Sequence, residues 1–594
     1  MSHFIYLDLQ KRKLVETISI QEQINIYRSK TYKKPLIIID LMYFDQLGGY
    51  LHNSSTKTKM RDLCGISSQR VEELKDFLAD LSSWGANLTF ITNGPFHDVS
   101  GHIFQDPNYQ KEYTKECRYR LQCGIIDRLG KEHYSEVASN AKLIPIEPIW
   151  TDPITRIARM YGTILRAWDN TRHQEVIRYA SEHEAFAIIT KNFSLLLYAG
   201  SVMPKYRLWS MANSNKIGMT IAQIEPLAVR RTLRLSVKQL RLLGVFCDWY
   251  YTTPTFSGFL ERAKIENSKI GLFKNLIDYV KRSVGNLQDD DYLRIAHDLY
   301  GEDKFIDSCH QLKSVCESYN IDNIKLSTEQ NNDIISMKLK GQDSFNYDIY
   351  HDICFSCSIT FIDYRYWLEQ GVNFYDIVMS IYQRISGLIL QHRNDSSLRR
   401  YIMIKRNHDE PFATTELKPE YPKNFEVLSL DDLFSFKEET LGLNIRFLEF
   451  ITGLKFDETS VNFFHSTENR NDLHDTVTLL FMVTSKIIIP FEADIFLLAI
   501  QECRKESSEP NHLPENLNLR AFHLYFMYLK MRVLIKHCFY GAGFDETFMD
   551  ECKLDGTVFQ TMFQKWIARG ATDDFSEAIN RLGTYRMHGS CPPR

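Results

Sequence analysis

The chain has 594 residues, 44% hydrophobic and 25% charged. This is ordinary globular composition, and at about 100–200 residues per domain it corresponds to roughly three to five folding units, with no long disorder expected. Lysine and arginine number 71 against 75 aspartate and glutamate, a net charge of −4, so no global cationic field advertises a nucleic-acid or membrane partner and any such partner must be held by a local patch. The twelve cysteines are scattered without an even framework. The stretch Met1 to Lys13 lacks an apolar core of signal length, so reduced thiols and a cytoplasmic and/or nuclear location are expected. The most apolar run, Leu479 to Ile489, contains Lys486 and is closed by Pro490, short of the ~20 residues of a membrane span. No membrane partner is expected.

In chain order, Leu36-Ile-Ile-Ile39 predicts a buried strand ending at Asp40. Val71, Leu74, Leu78 and Leu81 then recur at helical spacing, and Leu88-Thr-Phe-Ile91 predicts the next strand, closed by the turn Asn93-Gly94-Pro95. A second β-α-β unit follows. It has a helix around Ile154, Ile157 and Ala158, a strand at Thr163 to Ala167, a helix through Glu175 to Ala180 and a strand at Phe186 to Ile189. The pattern is that of an α/β fold with a parallel sheet and flanking helices, assigned to residues 1–215.

Residues 216–326 turn helical and suggest an appended helical unit on the sheet's carboxyl edges. The polar stretch 327–348 reads as a linker. Residues 349–594 form a C-terminal α+β region that becomes mostly helical, with strands at Cys354 to Ile362 and Arg400 to Ile404 and helices over Leu433 to Leu454 and Leu473 to Lys536.

Sites in open α/β sheets form beyond the carboxyl ends of the strands, which directs attention to Asp40, Asn93, the Asp169 to Glu175 segment and Asn192 to Ser194. This order of strand, acid, strand, turn and acidic helix resembles the PIN-like, flap-endonuclease and XPG-related nucleases. The resemblance implies carboxylates gathered around two divalent ions about 4 Å apart, which stabilise the attacking and leaving oxygens of a phosphodiester. Carried over by position, the superfamily's acids fall on Asp40, Asn93, Thr171, His173, Asn192, Ser194 and Phe246, of which only Asp40 is acidic. Admitting Asp169, Glu175 or Asp248 through an alignment gap still leaves about four carboxylates where about seven are implied for the metal pair. The expectation is a degenerate site with no catalytic residues, metal or cofactor. Plainer readings are a turn- or helix-capping carboxylate for Asp40, a solvated helical histidine for His173, and turn chemistry for Asn93.

The stretch Trp168-Asp-Asn-Thr-Arg-His-Gln-Glu-Val-Ile177, with Pro35 to Asp40, Phe90-Ile-Thr-Asn-Gly94 and Met219 to Ile224 through Leu242-Leu-Gly244, resembles the constitutive coactivator of PPAR-gamma-like family. That family is an asteroid-related, degenerate branch of the same PIN fold. Weaker similarity runs through Leu473 to Cys503 and Phe539 to Trp566. The chain departs from the family at Met1-Ser2-His3-Phe4-Ile5, where Met-Gly-x-x-Gly is typical and a strand approaches the pocket, and at Lys191-Asn192-Phe193-Ser194. It also lacks the long low-complexity segments and arginine-glycine tails through which RNA binding is suggested for vertebrate members, so the resemblance implies the nuclease-like fold more firmly than the partner. Protein partners are expected, RNA through the basic segment below, and a small-molecule substrate is not.

The densest basic segment expected to face a partner contains Arg230, Arg231, Arg234, Lys238 and Arg241. Positions 230, 234, 238 and 241 are expected on one helical stripe, while Val229, Leu233, Val237 and Leu240 form an apolar one. The plainer reading is a solvated helix face. Cys354-x-x-Cys357 lacks a second ligand pair at zinc-finger spacing and reads as a strand. No Leu-x-x-Leu-Leu docking helix occurs, and the variant Leu74-Lys-Asp-Phe-Leu78 is expected in the core. Three functions follow: an inactive, RNA-associated scaffold or adaptor; a purely protein-binding coactivator-type module; and, least supported, an active metal-dependent nuclease.

Overall fold

The computed structural model describes residues 2–41, 68–93, 151–167, 172–200, 205–210, 220–249, 256–266, 271–283, 289–300, 305–323, 344–351, 355–356, 364–391, 400–404, 413–423, 429–466, 470–504, 517–549, 552 and 554–569. The chain divides into two compact units. The first comprises 1–53, 72–93 and 154–330, and the second comprises 54–71, 94–153 and 331–594.

The first unit is built on a seven-stranded sheet ordered β1-β7-β6-β5-β2-β3-β4. Its strands are β1 (Glu16–Ser19), β2 (Leu36–Asp40), β3 (Asn87–Asn93), β4 (Gly162–Ala167), β5 (Ala187–Ile189), β6 (Arg207–Ser210) and β7 (Thr220–Ile224). β2 pairs in parallel with β3 and β5, β3 with β4, and β5 with β6, while β7 runs antiparallel to β6 and β1. The α/β expectation holds. The β-branched runs of β2 and β5 are buried on both faces, with Ile37, Ile38, Ile39, Ile188 and Ile189 at 0–1% exposure, as central parallel strands under crossover helices must be. The Ser68–Ser83 helix buries Leu74, Phe77, Leu78 and Leu81, so the Leu74 to Leu78 motif is core.

The first residues, where the chain departs from the family's Met-Gly-x-x-Gly start, form a helix, Ser2–Lys11, which buries Ile5, Tyr6 and Leu9. One local expectation changes. Thr220–Ile224, at the start of the expected helical unit, is β7, which lies between β6 and β1 in the sheet. Helices over Pro226–Leu233, Val237–Trp249, Phe256–Arg262, Leu272–Ser283, Asp289–Tyr300 and Phe305–Ser318 follow. They share one core with the sheet, in which Ile38, Ile188 and Leu208 belong to the same cluster as Leu240, Leu276 and Leu312. Gly244 explains the Leu-Leu-Gly motif, because a Cβ there would sit 2.5 Å from the Tyr319 ring, well inside contact distance.

The second unit holds a three-stranded sheet ordered β10-β9-β8, with β8 at Phe355–Ser356, β9 at Arg400–Ile404 and β10 at Ala413–Leu417. Helices then dominate, as expected, through Leu441–Thr452, Arg470–Thr484, Pro490–Arg504, Leu519–Gly541 and Gly556–Arg569. Among the described residues no helix is long and apolar enough to cross a membrane.

Candidate functional site

The parallel strands β5, β2, β3 and β4 stand side by side, and the crevice beyond their carboxyl ends is where the topology can expose side chains to a ligand. Asp40 ends β2 at 0% exposure. A carboxylate withdrawn from water needs compensating donors. Because Ile39 is in register with Ile189, the next residue of each strand comes abreast, and Thr190 Oγ1 donates to Asp40 Oδ2 at 3.3 Å. The same hydroxyl accepts the Asn192 backbone N–H at 3.0 Å. One alcohol thus serves as donor to the acid and acceptor for the chain.

Asn192 continues the network. Its Oδ1 accepts from the Ser194 backbone N–H at 3.1 Å and from Ser194 Oγ at 2.6 Å, capping the 3-10 turn Phe193–Leu197. Its Nδ2 lies 2.8 Å from His173 Nε2, contributed by the Arg172–Glu182 helix. A backbone N–H can only donate, so the amide oxygen must face Ser194 and the amide nitrogen must face the imidazole. His173 Nε2 is therefore an acceptor, and the ring is neutral with its proton on Nδ1.

Of the seven positions matched to superfamily acids, the structure gathers Asp40, His173, Asn192 and Ser194 into one hydrogen-bonded group. Asn93 ends β3, paired with Ala167 at the end of β4. Thr171 lies outside the described residues. Phe246 takes no part in this hydrogen-bonded group: fully buried, it stacks on Phe259 at 5.1 Å and meets Tyr279 edge-on at 5.8 Å. Thr190, which matches none of the superfamily's acid positions, joins the group only through the fold. Its signal is its place directly after the β5 run, before Lys191-Asn192.

Magnesium-type ions prefer several carboxylate and water oxygens. The group offers one carboxylate, one amide, two hydroxyls and one imidazole, and the amide oxygen and the Thr190 hydroxyl are already engaged. Among the described residues, this hydrogen-bonded group supplies one carboxylate, where a pair of divalent ions calls for several. Among the described residues no group of three or more His, Cys, Asp or Glu stands close enough to hold a metal ion.

The basic segment is not one helical stripe. The Pro226–Leu233 helix ends at Arg234, which is left-handed (φ 53°) with its N–H on the Arg230 carbonyl at 3.0 Å. A new helix, Val237–Trp249, starts behind a reciprocal cap. The Ser236 N–H donates to Gln239 Oε1 at 2.9 Å and the Gln239 N–H to Ser236 Oγ at 3.2 Å. This is a capping box, legible in Ser236-Val-Lys-Gln239. Arg231, Arg234 and Lys238 are exposed and Arg230 is half-buried. Arg241 turns inward instead. Its Nε donates to the Ala199 carbonyl at 2.9 Å, another guanidinium nitrogen to Asn320 Oδ1, and Glu317 stands 3.7 Å away. Arg241 is a clamp within the fold, not a surface cation. Cys354 and Cys357 lie outside the described residues.

No protein-family model matches the chain, and no curated protein matches it significantly. Solved structures with some likeness include the catalytic core of Rad2 in complex with a DNA substrate, at 13% identity over 57% of this chain and 94% of that one with a TM-score of 0.25. Human GEN1 in complex with Holliday junction DNA aligns at 10% identity over 70% and 89%, with a TM-score of 0.28. A second Rad2–DNA complex aligns at 10% identity over 52% and 92%, with a TM-score of 0.24. Superposition at these scores is loose, and the α/β architecture stands on the strand order and registers described above.

Proposed function

We propose that this chain is a nuclease-like scaffold or adaptor. In this reading a PIN-like α/β unit no longer hydrolyses phosphodiesters and instead binds RNA and protein partners within a ribonucleoprotein or regulatory complex. The observation that carries it is the pocket chemistry: a single buried carboxylate, Asp40, is linked through Thr190 and Asn192 to Ser194 and His173. Neutral hydrogen-bonding groups occupy positions where two-metal hydrolysis calls for negative oxygens. The resemblance of the Trp168 to Ile177 block to the degenerate coactivator family points the same way.

The RNA part rests on Arg230, Arg231, Arg234 and Lys238, grouped on two short helices. Four phosphate contacts would give a salt slope of about −3 to −4. The test uses the full chain. No magnesium- or manganese-dependent cleavage of single-stranded, flap or duplex substrates is expected, and cleavage that vanishes in Asp40→Ala would overturn the loss of hydrolysis. Salt-dependent RNA binding is expected to collapse in Arg230→Glu with Arg234→Glu. Binding unchanged in that variant would remove these helices from the RNA interface, and no RNA binding at all would leave a purely protein-binding module.

A further inference from the structure

The opposite end of the sheet carries a second cationic surface. The Ile20–Thr31 helix closes at Tyr32, the turn into β2, and Arg28, Lys30, Lys33 and Lys34 all lie within this segment and are exposed. Tyr32 is left-handed (φ 56°, ψ 16°), its N–H bonded to the Arg28 carbonyl at 2.9 Å. Glycine fills this helix-ending conformation without steric cost, whereas a bulky residue rarely adopts it. The side chain held there is 93% exposed.

The turn is firmly built. Thr31 Oγ1 donates to the Tyr27 carbonyl at 2.8 Å and accepts the Lys33 N–H at 3.2 Å, and an Arg28 guanidinium nitrogen donates to the Trp84 carbonyl at 3.0 Å. Tyr27 packs on Phe186 at 4.7 Å, and the Arg207 guanidinium covers the same Phe186 ring at 4.6 Å. These contacts bring the start of β6, with exposed Lys205, to the same end of the sheet. Nearby acids are partly engaged, Glu182 by Arg178 at 2.5 Å and Glu225 by Arg207 at 3.8 Å.

An aromatic ring open to solvent between cations has the chemistry of a single-strand contact. A base stacks on the ring face, and ammonium groups take the phosphates on either side. A membrane would need more apolar surface than one ring, and within residues 30–35 the other apolar side chain, Pro35, is buried. We propose that the Lys30 to Lys34 turn binds single-stranded nucleic acid, with a base on Tyr32 and the flanking phosphates on Lys30, Lys33 and Lys34. This deepens the proposed function and rests on its nucleic-acid part.

The test is fluorescence anisotropy of the full chain with a labelled twelve-nucleotide oligouridine across a salt series. Tyr32→Ala is expected to weaken binding about tenfold with the salt slope unchanged, and Tyr32→Phe to stay within about twofold because the stacking face remains. Lys33→Ala with Lys34→Ala is expected to reduce the slope by about 1.4, the value for two phosphates of a single strand. Oligothymidine should bind comparably, since neither ring nor ammonium reads the 2′-hydroxyl. Tyr32→Gly should raise the melting midpoint while weakening binding, which a merely structural tyrosine would not do.

Affinity untouched by Tyr32→Ala but lost in Arg230→Glu with Arg234→Glu would overturn this contact and leave the RNA scaffold reading standing. Loss in Tyr32→Ala with none in the arginine variant would support the contact and move the RNA interface to this turn. Equal binding of a blunt duplex, insensitive to Tyr32, or binding of phosphatidylserine vesicles that depends on the turn while oligouridine binding does not, would overturn the proposal.

Discussion

At the scale of single residues, the pocket is decided by what each polar atom can donate or accept. Asn192 cannot turn its amide around without placing an NH₂ against the Ser194 N–H, so its orientation fixes the tautomer of His173. Nitrogen-15 NMR of the imidazole should show the Nδ1-protonated neutral form, and an Nε2–H tautomer would contradict the network. Thr190→Val keeps the shape but removes both the donor to Asp40 and the acceptor for the Asn192 N–H. It should cost about 1–3 kcal/mol in guanidinium unfolding, and a change below the measurement error would show that the alcohol does not support the acid.

At the scale of elements, buried polar pairs set how helices meet. In the second unit the Arg470–Thr484 and Leu519–Gly541 helices are joined by Asp475 and Arg532, both 3% exposed and 2.5 Å apart, with Tyr528 donating to the same carboxylate at 2.7 Å. Arg504 adds a contact to Asp472 and stands 3.9 Å from Asp475. Removing one partner strands a charge in an apolar interior, whereas replacing both need not. Arg532→Met alone should destabilise this unit by about 3–5 kcal/mol, while Asp475→Leu with Arg532→Met should recover much of that loss. Additive losses in the pair would refute the desolvation account. The Arg241 clamp behaves similarly on the first unit. Arg241→Ala should cost about 1.5–3 kcal/mol, the range for hydrogen bonds from a charged donor, with little effect on RNA affinity. A clear fall in RNA affinity at unchanged stability would restore Arg241 to the binding surface.

At the scale of the whole molecule, each unit holds a thiol that should titrate late. Burial pushes Cys316 in the first unit up to about 12, countered in part by its bond to Tyr292, and burial likewise pushes Cys503 in the second unit up to about 12. An unfolded chain releases such protons near pH 8.5, so between about pH 9 and 12 the folded state holds more protons than the unfolded one. Stability therefore falls as pH rises through that window. Thermal melts of Cys316→Ala and Cys503→Ala should show a shallower alkaline decline than the parent, each in the transition of its own unit, and identical slopes would contradict the burial effect. At pH 8 in native buffer both cysteines should also escape alkylation that they undergo in guanidinium.

Much of the fold is legible in the sequence. Alternation and helical spacing are local signals, and they placed β2, β3, β4 and β5, the helices between them, and the helical character of the last third. The strand-end rule points to Asp40, Asn93, the Asp169 to Glu175 segment that carries His173, and Asn192 to Ser194, because topology alone says where a parallel sheet opens. What the sequence left undecided depends on partners far apart in the chain. β1 and β7 find each other only in the finished sheet, and a short β-strand has no periodicity long enough to announce itself. Thr190 matters because β5 lies beside β2, Phe246 is core because Phe259 and Tyr279 surround it, and Arg241 points inward because Ala199 and Asn320 offer acceptors there. Residue type and spacing establish which elements can form; which side chains meet is settled when the elements compete for one interior and every buried polar atom must find a partner.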